Sequence, residues 1–230
     1  MTVMVCMGFG LLAGALVPSL IARLPDRDAE PGERARTPYR VLAAQRGLRP
    51  LLGVATAVTC GVVAAARGWE ADLPAYLVVG TLGVAMAYVD IREHRLPDPL
   101  TSAALVAAAS LLAVAAAMTG EWGAYGRAWL VAAALFTGYL ALALLRPADL
   151  GLGDVKLAGV VGLMTGWLGW GTAVVAAFLG FLLGGLVGVL LVVAGRAGRR
   201  TAIPFGPFML AGALLAVAWG DSLLDAYLGR

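Results

Sequence analysis

Long apolar runs separated by short polar segments dominate this chain. A helix that crosses a bilayer needs about 20 mostly apolar residues, and eight runs come close to that length. They lie at 2–22, 50–67, 73–90, 99–118, 125–145, 154–169, 171–195 and 203–220. The pattern predicts an all-α fold, a polytopic membrane helix bundle with about eight transmembrane helices.

Two of the eight runs differ from the rest. The run 154–169 is short for a bilayer span. The run 2–22 stands where a signal peptide would, but it lacks the basic segment of one, and we interpret it as a transmembrane helix. The predicted organisation is a first transmembrane helix at 1–22, a short Arg-rich loop at 23–49 and a membrane core at 50–230.

The composition supports this interpretation and excludes a soluble globular enzyme. Of the 230 residues, 61 % are hydrophobic and 13 % are charged, whereas soluble domains have about 45–50 % and about 25 %. The two cysteines, Cys6 and Cys60, form no CxxC pair, so a thiolate-bound zinc or iron–sulfur site is excluded too. Three glycines at helical spacing, Gly180, Gly184 and Gly188, predict close packing against another helix of the chain, with a dimer contact as the alternative.

The basic residues are distributed unevenly over the predicted loops. With eight spans, 14 of the 17 Lys and Arg residues fall on one side, and only Arg67, Arg127 and Arg230 fall on the other. Because Lys and Arg collect on the cytoplasmic side of membranes, loop 23–49 is predicted to be cytoplasmic and both termini extracytoplasmic. The net charge of +3 then reflects topology, so the expected partner is the lipid bilayer and not nucleic acid. We expect loop 23–49 to be solvated and to face lipid headgroups.

Four acids lie near the predicted cytoplasmic ends of the helices, and the middles of the spans carry none. They are Asp90, Asp98, Asp149 and Asp154. Ionisable residues at membrane depth are costly and tend to be functional. For Asp90 the structural alternative is a carboxylate that reaches the interface at a helix end, paired with Arg92 or Arg95.

Asp154 follows two glycines, Gly151 and Gly153, and precedes Lys156, the only lysine of the chain. A structural role as helix N-cap suits an aspartate at this position. The glycines favour a second role, because they permit unusual backbone angles and close approach of another chain. Lys156 would neutralise a neighbouring carboxylate, hold a substrate carbonyl, or only contribute to topology.

A third feature precedes the last predicted span. Pro204-Phe205-Gly206-Pro207 places two prolines around a glycine. Proline is common at helix starts, but this combination also fits a non-helical entry that lines a cavity, where broken backbone is tolerated. All three features lie on the predicted cytoplasmic face.

The sequence resembles the type IV prepilin peptidases, membrane aspartic peptidases of the GxGD type. The resemblance rests on Asp90 followed by Leu96-Pro97-Asp98-Pro99-Leu100-Thr101, on the run from Gly151 to Lys156, and on Ile-Pro-Phe-Gly-Pro-Phe at 203–208. It covers about 73–220, and the chain resembles a short form of the family, in which loop 23–49 stands in place of the cysteine-containing cytoplasmic domain that bifunctional members carry.

The resemblance implies an aspartic endopeptidase in the plasma membrane, with Asp90 and Asp154 as the catalytic dyad. Its substrates would be prepilin-like proteins, type IV pilins or type II secretion pseudopilins, cut at the cytoplasmic face. The resemblance further implies supporting roles in substrate binding, and it requires no metal and no other cofactor. These roles would fall to Gly151, Gly153, Lys156, Pro97, Asp98, Pro204, Phe205, Gly206 and Pro207.

The sequence leaves several questions open. Because loop 23–49 has no cysteine, we expect no N-methylation of the product. The sequence does not assign acid and base within the dyad or the oligomeric state. Two other functions compete with the peptidase: a small polytopic transporter, which would place charged groups near the midplane, and a non-catalytic membrane subunit of a secretion system.

Overall fold

The computed structural model describes residues 1–26, 36–145, 150–196 and 203–228, with side chains as far as residue 220. These ranges contain nine helices and no strand, which confirms the prediction of an all-α membrane bundle. The helices are α1 (Thr2–Ile21), α2 (Tyr39–Ala43), α3 (Leu48–Arg67), α4 (Leu73–Glu93), α5 (Asp98–Thr119), α6 (Trp122–Leu145), α7 (Leu152–Leu168), α8 (Trp170–Val193) and α9 (Gly206–Leu228).

Six of these helices are long and apolar enough to cross a membrane: α1, α3, α4, α5, α6 and α8. The chain is therefore an integral membrane protein. Helix α7 has 17 residues, and the apolar part of α9 described here ends at Gly220. Eight transmembrane spans therefore stay a prediction: α7 is short for a span, and α9, with 23 residues in all, has described side chains only as far as Gly220.

Glycines permit close packing between pairs of helices. A Cβ atom on Gly10 of α1 would lie 2.7 Å from the carbonyl oxygen of Thr56 in α3, and one on Gly162 of α7 would lie 2.7 Å from the Cα of Ala132 in α6. A Cβ on Gly180 of α8 would lie 3.4 Å from the Cα of Met209 in α9. The prediction that Gly180 packs within the chain is thus confirmed, and small residues set the helix spacing, as is usual in membranes.

Helices α4 and α7 run antiparallel and are tied together at one end of the bundle. Asp72, directly before α4, is 3 % exposed and accepts hydrogen bonds from Trp167 Nε1 and from Arg67, each at 2.7 Å. Arg127 donates to the carbonyl oxygens of Gly166 and Trp167 at 2.9 and 2.6 Å. These bonds satisfy carbonyl groups that the end of α7 would otherwise leave unpaired.

Part of loop 23–49 packs on the opposite end of α4. Leu42 of the short helix α2 is only 1 % exposed, and the Tyr88 hydroxyl lies 3.1 Å from its carbonyl oxygen, to which it donates. The Thr37 N–H donates to the Glu93 carboxylate at 3.3 Å. The expectation of a wholly solvated loop is wrong for this part, because Leu42 gives it an apolar anchor. Residues 27–35 lie outside the described ranges.

The charge asymmetry gives a topology that can be measured. A reporter fused after Arg49 is expected to be cytoplasmic, and one fused at Arg230 extracytoplasmic, since the basic loops stay on the cytoplasmic side. Reporters active on one side only, such as a periplasmic phosphatase and a cytoplasmic fluorescent protein, provide complementary readouts. A cytoplasmic position for Arg230 would contradict the eight-span count, with 2–22 and 154–169 as the first spans to re-examine.

Candidate active site

A cavity of about 620 Å³ opens at the end of the bundle where α4 ends and α5 and α7 begin. Asp90 and Asp154 both line it, from separate helices. Two of the predicted supporting segments, at Pro97 and at Gly151, line it as well. The complete lining consists of Leu24, Pro25, Arg36, Tyr39, Asp90, His94, Arg95, Leu96, Pro97, Asp98, Pro99, Gly151, Leu152, Gly153, Asp154 and Lys156.

Asp90 lies in the last turn of α4 and is 4 % exposed. Its Oδ2 accepts a hydrogen bond of 3.0 Å from the Gly206 N–H. Gly206 is the first residue of α9, where backbone N–H groups lack helical partners and favour a negative charge. Within the described ranges Asp90 forms no ion pair with Arg92 or Arg95, so the interpretation of Asp90 as an arginine-paired interfacial carboxylate is wrong.

The contact between Asp90 and α9 requires a glycine. A Cβ atom at Gly206 would lie 2.8 Å from Asp90 Oδ2, which is closer than such atoms approach in proteins. Gly206 is itself buried. The third sequence motif therefore contributes a backbone donor to the first, through a residue without a side chain.

Asp154 is held by its own helix. Its Oδ2 accepts the Gly151 N–H at 3.1 Å, and Gly151 is the N-cap of α7. The alternative interpretation of Asp154 as the N-cap residue is wrong by three positions: α7 begins at Leu152, and Asp154 reaches back from the first turn, as in one half of a capping box. Asp154 is partly buried and close enough to Asp90 for the two carboxyl groups to interact electrostatically.

Leu96 lies between the start of α7, which carries Asp154, and the start of α9, which donates a hydrogen bond to Asp90. Its Cβ would lie 3.0 Å from a Cβ on Gly153, and its Cδ2 3.2 Å from a Cβ on Gly206. Leu96 is 9 % exposed and thus fills the space between the first turns of α7 and α9. Sequence reasoning missed this role, although Leu96 stands directly before Pro97 in the first motif.

Shortening Leu96 is expected to loosen this spacing. Leu96→Ala should lower the proposed cleavage activity by about tenfold or more, because small displacements of catalytic groups are costly. Leu96→Met, of similar volume, should retain most of the activity. The measurement is the rate of leader cleavage at equal membrane abundance, and equal rates for the two variants would contradict the role of Leu96 as a spacer.

The other predicted polar residues of the cavity lie at its edge. Lys156 Nζ is 2.6 Å from Asp98 Oδ1, and their side chains are 47 % and 39 % exposed. Of the roles considered for Lys156, the structure shows an ion pair with a neighbouring carboxylate, that of Asp98. Pro97 is the N-cap of α5, and its carbonyl oxygen accepts the Thr101 N–H at 3.1 Å. Asp149, the remaining acid of the sequence prediction, lies outside the described residues.

The segment before α9 is split between two environments. Residues 203–205 are non-helical, as expected for an irregular entry. The Phe205 ring packs on Phe181 and Tyr139, with centroid distances of 5.1 and 6.3 Å. Neither Phe205 nor Pro204 lines the cavity, and Pro207 faces a different, apolar groove. Of this motif, only Gly206 contacts an aspartate.

Residues of loop 23–49 complete the cavity wall. Leu24 and Pro25 follow α1, and Arg36 and Tyr39 precede or begin α2. Burial raises the pKa of the Tyr39 phenol, which therefore stays a protonated donor at neutral pH. Sequence reasoning treated this loop as solvated and missed these contacts. Across the described ranges, no three His, Cys, Asp or Glu side chains cluster as metal ligands do.

Comparison with known proteins gives a consistent result. Residues 77–189 match the type IV leader peptidase family. The prepilin leader peptidase/N-methyltransferase of Aeromonas hydrophila is 31 % identical over 188 residues, which are 79 % of this chain and 59 % of that protein. The protein of the same name from Pseudomonas aeruginosa is 32 % identical over 191 residues, 78 % and 61 % of the two chains. No solved structure matches the chain.

The match covers both aspartate segments but only part of each relative. It includes Asp90 and Asp154, which line one cavity. A third relative, from Legionella pneumophila and of the same name, is 30 % identical over 64 % of this chain and 50 % of its own length. The chain thus spans about half to three fifths of these relatives, all of one kind, and it belongs to the type IV leader peptidase family.

Proposed function

We propose that this protein is a membrane-embedded aspartic endopeptidase that removes the amino-terminal leader of prepilin-like proteins at the cytoplasmic membrane face. The observation that carries the proposal is the meeting of Asp90 and Asp154 in one cavity of about 620 Å³. The two residues are 64 residues apart in the sequence and come from different helices, α4 and α7. Family membership supports the reaction class.

A pair of carboxyl groups can perform both proton transfers of peptide hydrolysis. Two like charges a few Å apart resist double ionisation, so the pair holds one proton between them. The ionised member takes a proton from a water molecule while the oxygen of that water attacks the scissile carbonyl carbon. The protonated member donates to the carbonyl oxygen, and collapse of the tetrahedral intermediate delivers a proton to the leaving amine. The dyad then again shares one proton.

Each aspartate has a backbone contact that supports its participation in this chemistry. A backbone N–H holds Oδ2 of Asp90 at 3.0 Å and Oδ2 of Asp154 at 3.1 Å. These bonds fix the orientation of both carboxyl groups and leave the Oδ1 atoms to exchange protons with water. Since the two groups interact, their titration belongs to the pair, and acid and base roles are not assigned to one residue each.

The location of the cavity fits a substrate that has a polar leader and a membrane-embedded helix. Asp90 lies in the last turn of α4, and Asp154 in the first turn of α7, so both acids lie at helix ends. A proton-coupled transporter would place such groups near the midplane. The relatives' names, which include prepilin leader peptidase, supply the substrate class.

Co-expression with a prepilin-like protein tests the proposal. We expect this chain to shorten the substrate at the junction of its basic leader and its apolar helix, as measured by mass spectrometry of the product. A substrate with a charged residue placed at the scissile position serves as a control that should stay uncut. An intact substrate at normal abundance of the full-length chain in the membrane would contradict the proposed activity.

The same product reports on methylation. The relatives' names also include N-methyltransferase, but our proposal is limited to leader cleavage. A methyl donor needs a pocket of about 300–1,000 Å³ with convergent polar groups, and the cavity of about 620 Å³ that loop 23–49 helps to line is the one that we assign to the aspartate pair. We expect an unmodified amino terminus; a product one methyl group heavier, dependent on this chain, would contradict that expectation.

A further inference from the structure

A second cavity, an apolar groove of about 250 Å³, lies among α3, α4, α7 and α9. Its walls are almost entirely aliphatic, and several of its residues are small, among them Gly80, Gly83, Ala87, Ala211 and Ala213. The reaction mechanism above uses none of these residues. The groove therefore needs its own explanation.

The groove begins beside the aspartate pair. Ala87 lines it from α4 one turn before Asp90, and Pro207 lines it from α9 directly after Gly206. From Pro207 the lining continues along α9 to Val217, which at ~1.5 Å per residue is about 15 Å. The lining along α4, from Ala87 back to Tyr76, covers a similar length. The groove thus runs from the dyad towards the interior of the bundle.

Polarity changes across the Asp90–Gly206 contact. On one side lies the cavity with Arg36, Arg95, Lys156 and the acids, and on the other side lies the aliphatic groove. A peptide that passes over Asp90 would have its polar part in the first and its apolar part in the second. A prepilin-like substrate changes from a basic leader to an apolar helix at its scissile bond, so its two halves match the two environments in order.

We propose that the groove binds apolar side chains from the first turns of the substrate's membrane helix, immediately after the scissile bond. This inference rests on the proposed function and names the surface that recognises the substrate. A dry apolar cavity of ~150 Å³ accepts a benzene-sized group, so the groove has room for one or two large side chains but not for a whole helix. Helices associate in lipid through close packing, and the small residues of the groove permit it.

Site-specific photocrosslinking tests the occupant directly. A photoreactive residue at Leu214, which lines the groove, would be introduced into the full-length Asp154→Asn variant so that the substrate stays intact. A matched variant carries it at Ala103, on the exposed face of α5. We expect a crosslink to a co-expressed prepilin-like protein from position 214 only. Lipid adducts alone, or equal capture from both positions, would overturn the inference.

A size-exchange experiment provides a second, independent readout. Ala211→Leu, which fills the groove, should reduce cleavage of a substrate with a large side chain after the scissile bond by about tenfold, while Ala103→Leu leaves it unchanged. A substrate with alanine at that position should restore cleavage by Ala211→Leu, which shows that the variant is folded. Equal cleavage of both substrates by Ala211→Leu would overturn the inference. The proposed function fails separately, if Asp90→Asn still cleaves.

Discussion

Replacing either aspartate of the pair by asparagine is expected to abolish leader cleavage. Asparagine keeps the size of the side chain and its carbonyl oxygen, so the Gly206 N–H retains an acceptor at position 90 and the Gly151 N–H at position 154. It removes the exchangeable proton. Since general acid–base catalysis contributes about 10²–10⁴-fold, we expect a loss of at least about 10²-fold for Asp90→Asn and for Asp154→Asn.

The measurement is the fraction of prepilin-like substrate cleaved at equal abundance of each variant in the membrane. Glu121→Gln provides a matched control, because Glu121 lies at the opposite end of the bundle, before α6. This variant should cleave at the normal rate. Near-normal processing by Asp90→Asn or by Asp154→Asn would rule out the dyad and leave family membership as the remaining argument for a peptidase.

A single methyl group at Gly206 is expected to cost nearly as much. The Cβ of Gly206→Ala would lie 2.8 Å from Asp90 Oδ2 and 3.2 Å from Leu96 Cδ2. Both neighbours are buried, so the carboxyl group or the start of α9 has to move. Misplacement of a catalytic group by about 1 Å costs on the order of 10²-fold in rate, and we expect a loss of that size.

The same substitution elsewhere in the bundle controls for helix stability. Gly185 lies inside α8, and a Cβ on it meets nothing within 4 Å. Gly185→Ala should therefore cleave at the normal rate, and alanine at a helix interior is if anything stabilising. Cleavage by Gly206→Ala within a few-fold of normal, at equal abundance, would show that the Asp90–Gly206 contact does not position the carboxyl group.

The helical bundle was predictable from the sequence because lipid simplifies the pattern. A span in lipid is apolar on every side, so helices such as α5 and α8 stand out as continuous runs. Asp90 and Asp154 stand out for the complementary reason, as acids directly beside charge-free stretches. Helix α7 begins two residues before the predicted start at 154, since Leu152 and Gly153 are already helical.

Contacts between distant parts of the chain were not predictable in this way. Nothing in the sequence distinguishes Leu96 from other leucines. It spaces the starts of α7 and α9 only because the fold brings Gly153 to one side of it and Gly206 to the other. Tyr39 belongs to a polar loop, and its position in the cavity depends on the packing of α2, in which Leu42 is buried and its carbonyl oxygen accepts a hydrogen bond from Tyr88 of α4. Such roles arise from tertiary packing, which the local pattern of hydrophobic and polar residues does not specify.

The hydrogen bond from Trp167 to Asp72 fixes α7 at the end of the helix that is remote from Asp154. Trp167, bonded to Asp72, is thirteen residues from Asp154, a distance of about 20 Å along a helix. A rotation of only about 5° at that end would shift Asp154 by nearly 2 Å over this length. In the proposed mechanism, the alignment of the two carboxyl groups therefore depends on angular rigidity at the opposite end of the bundle, about 20 Å from Asp154.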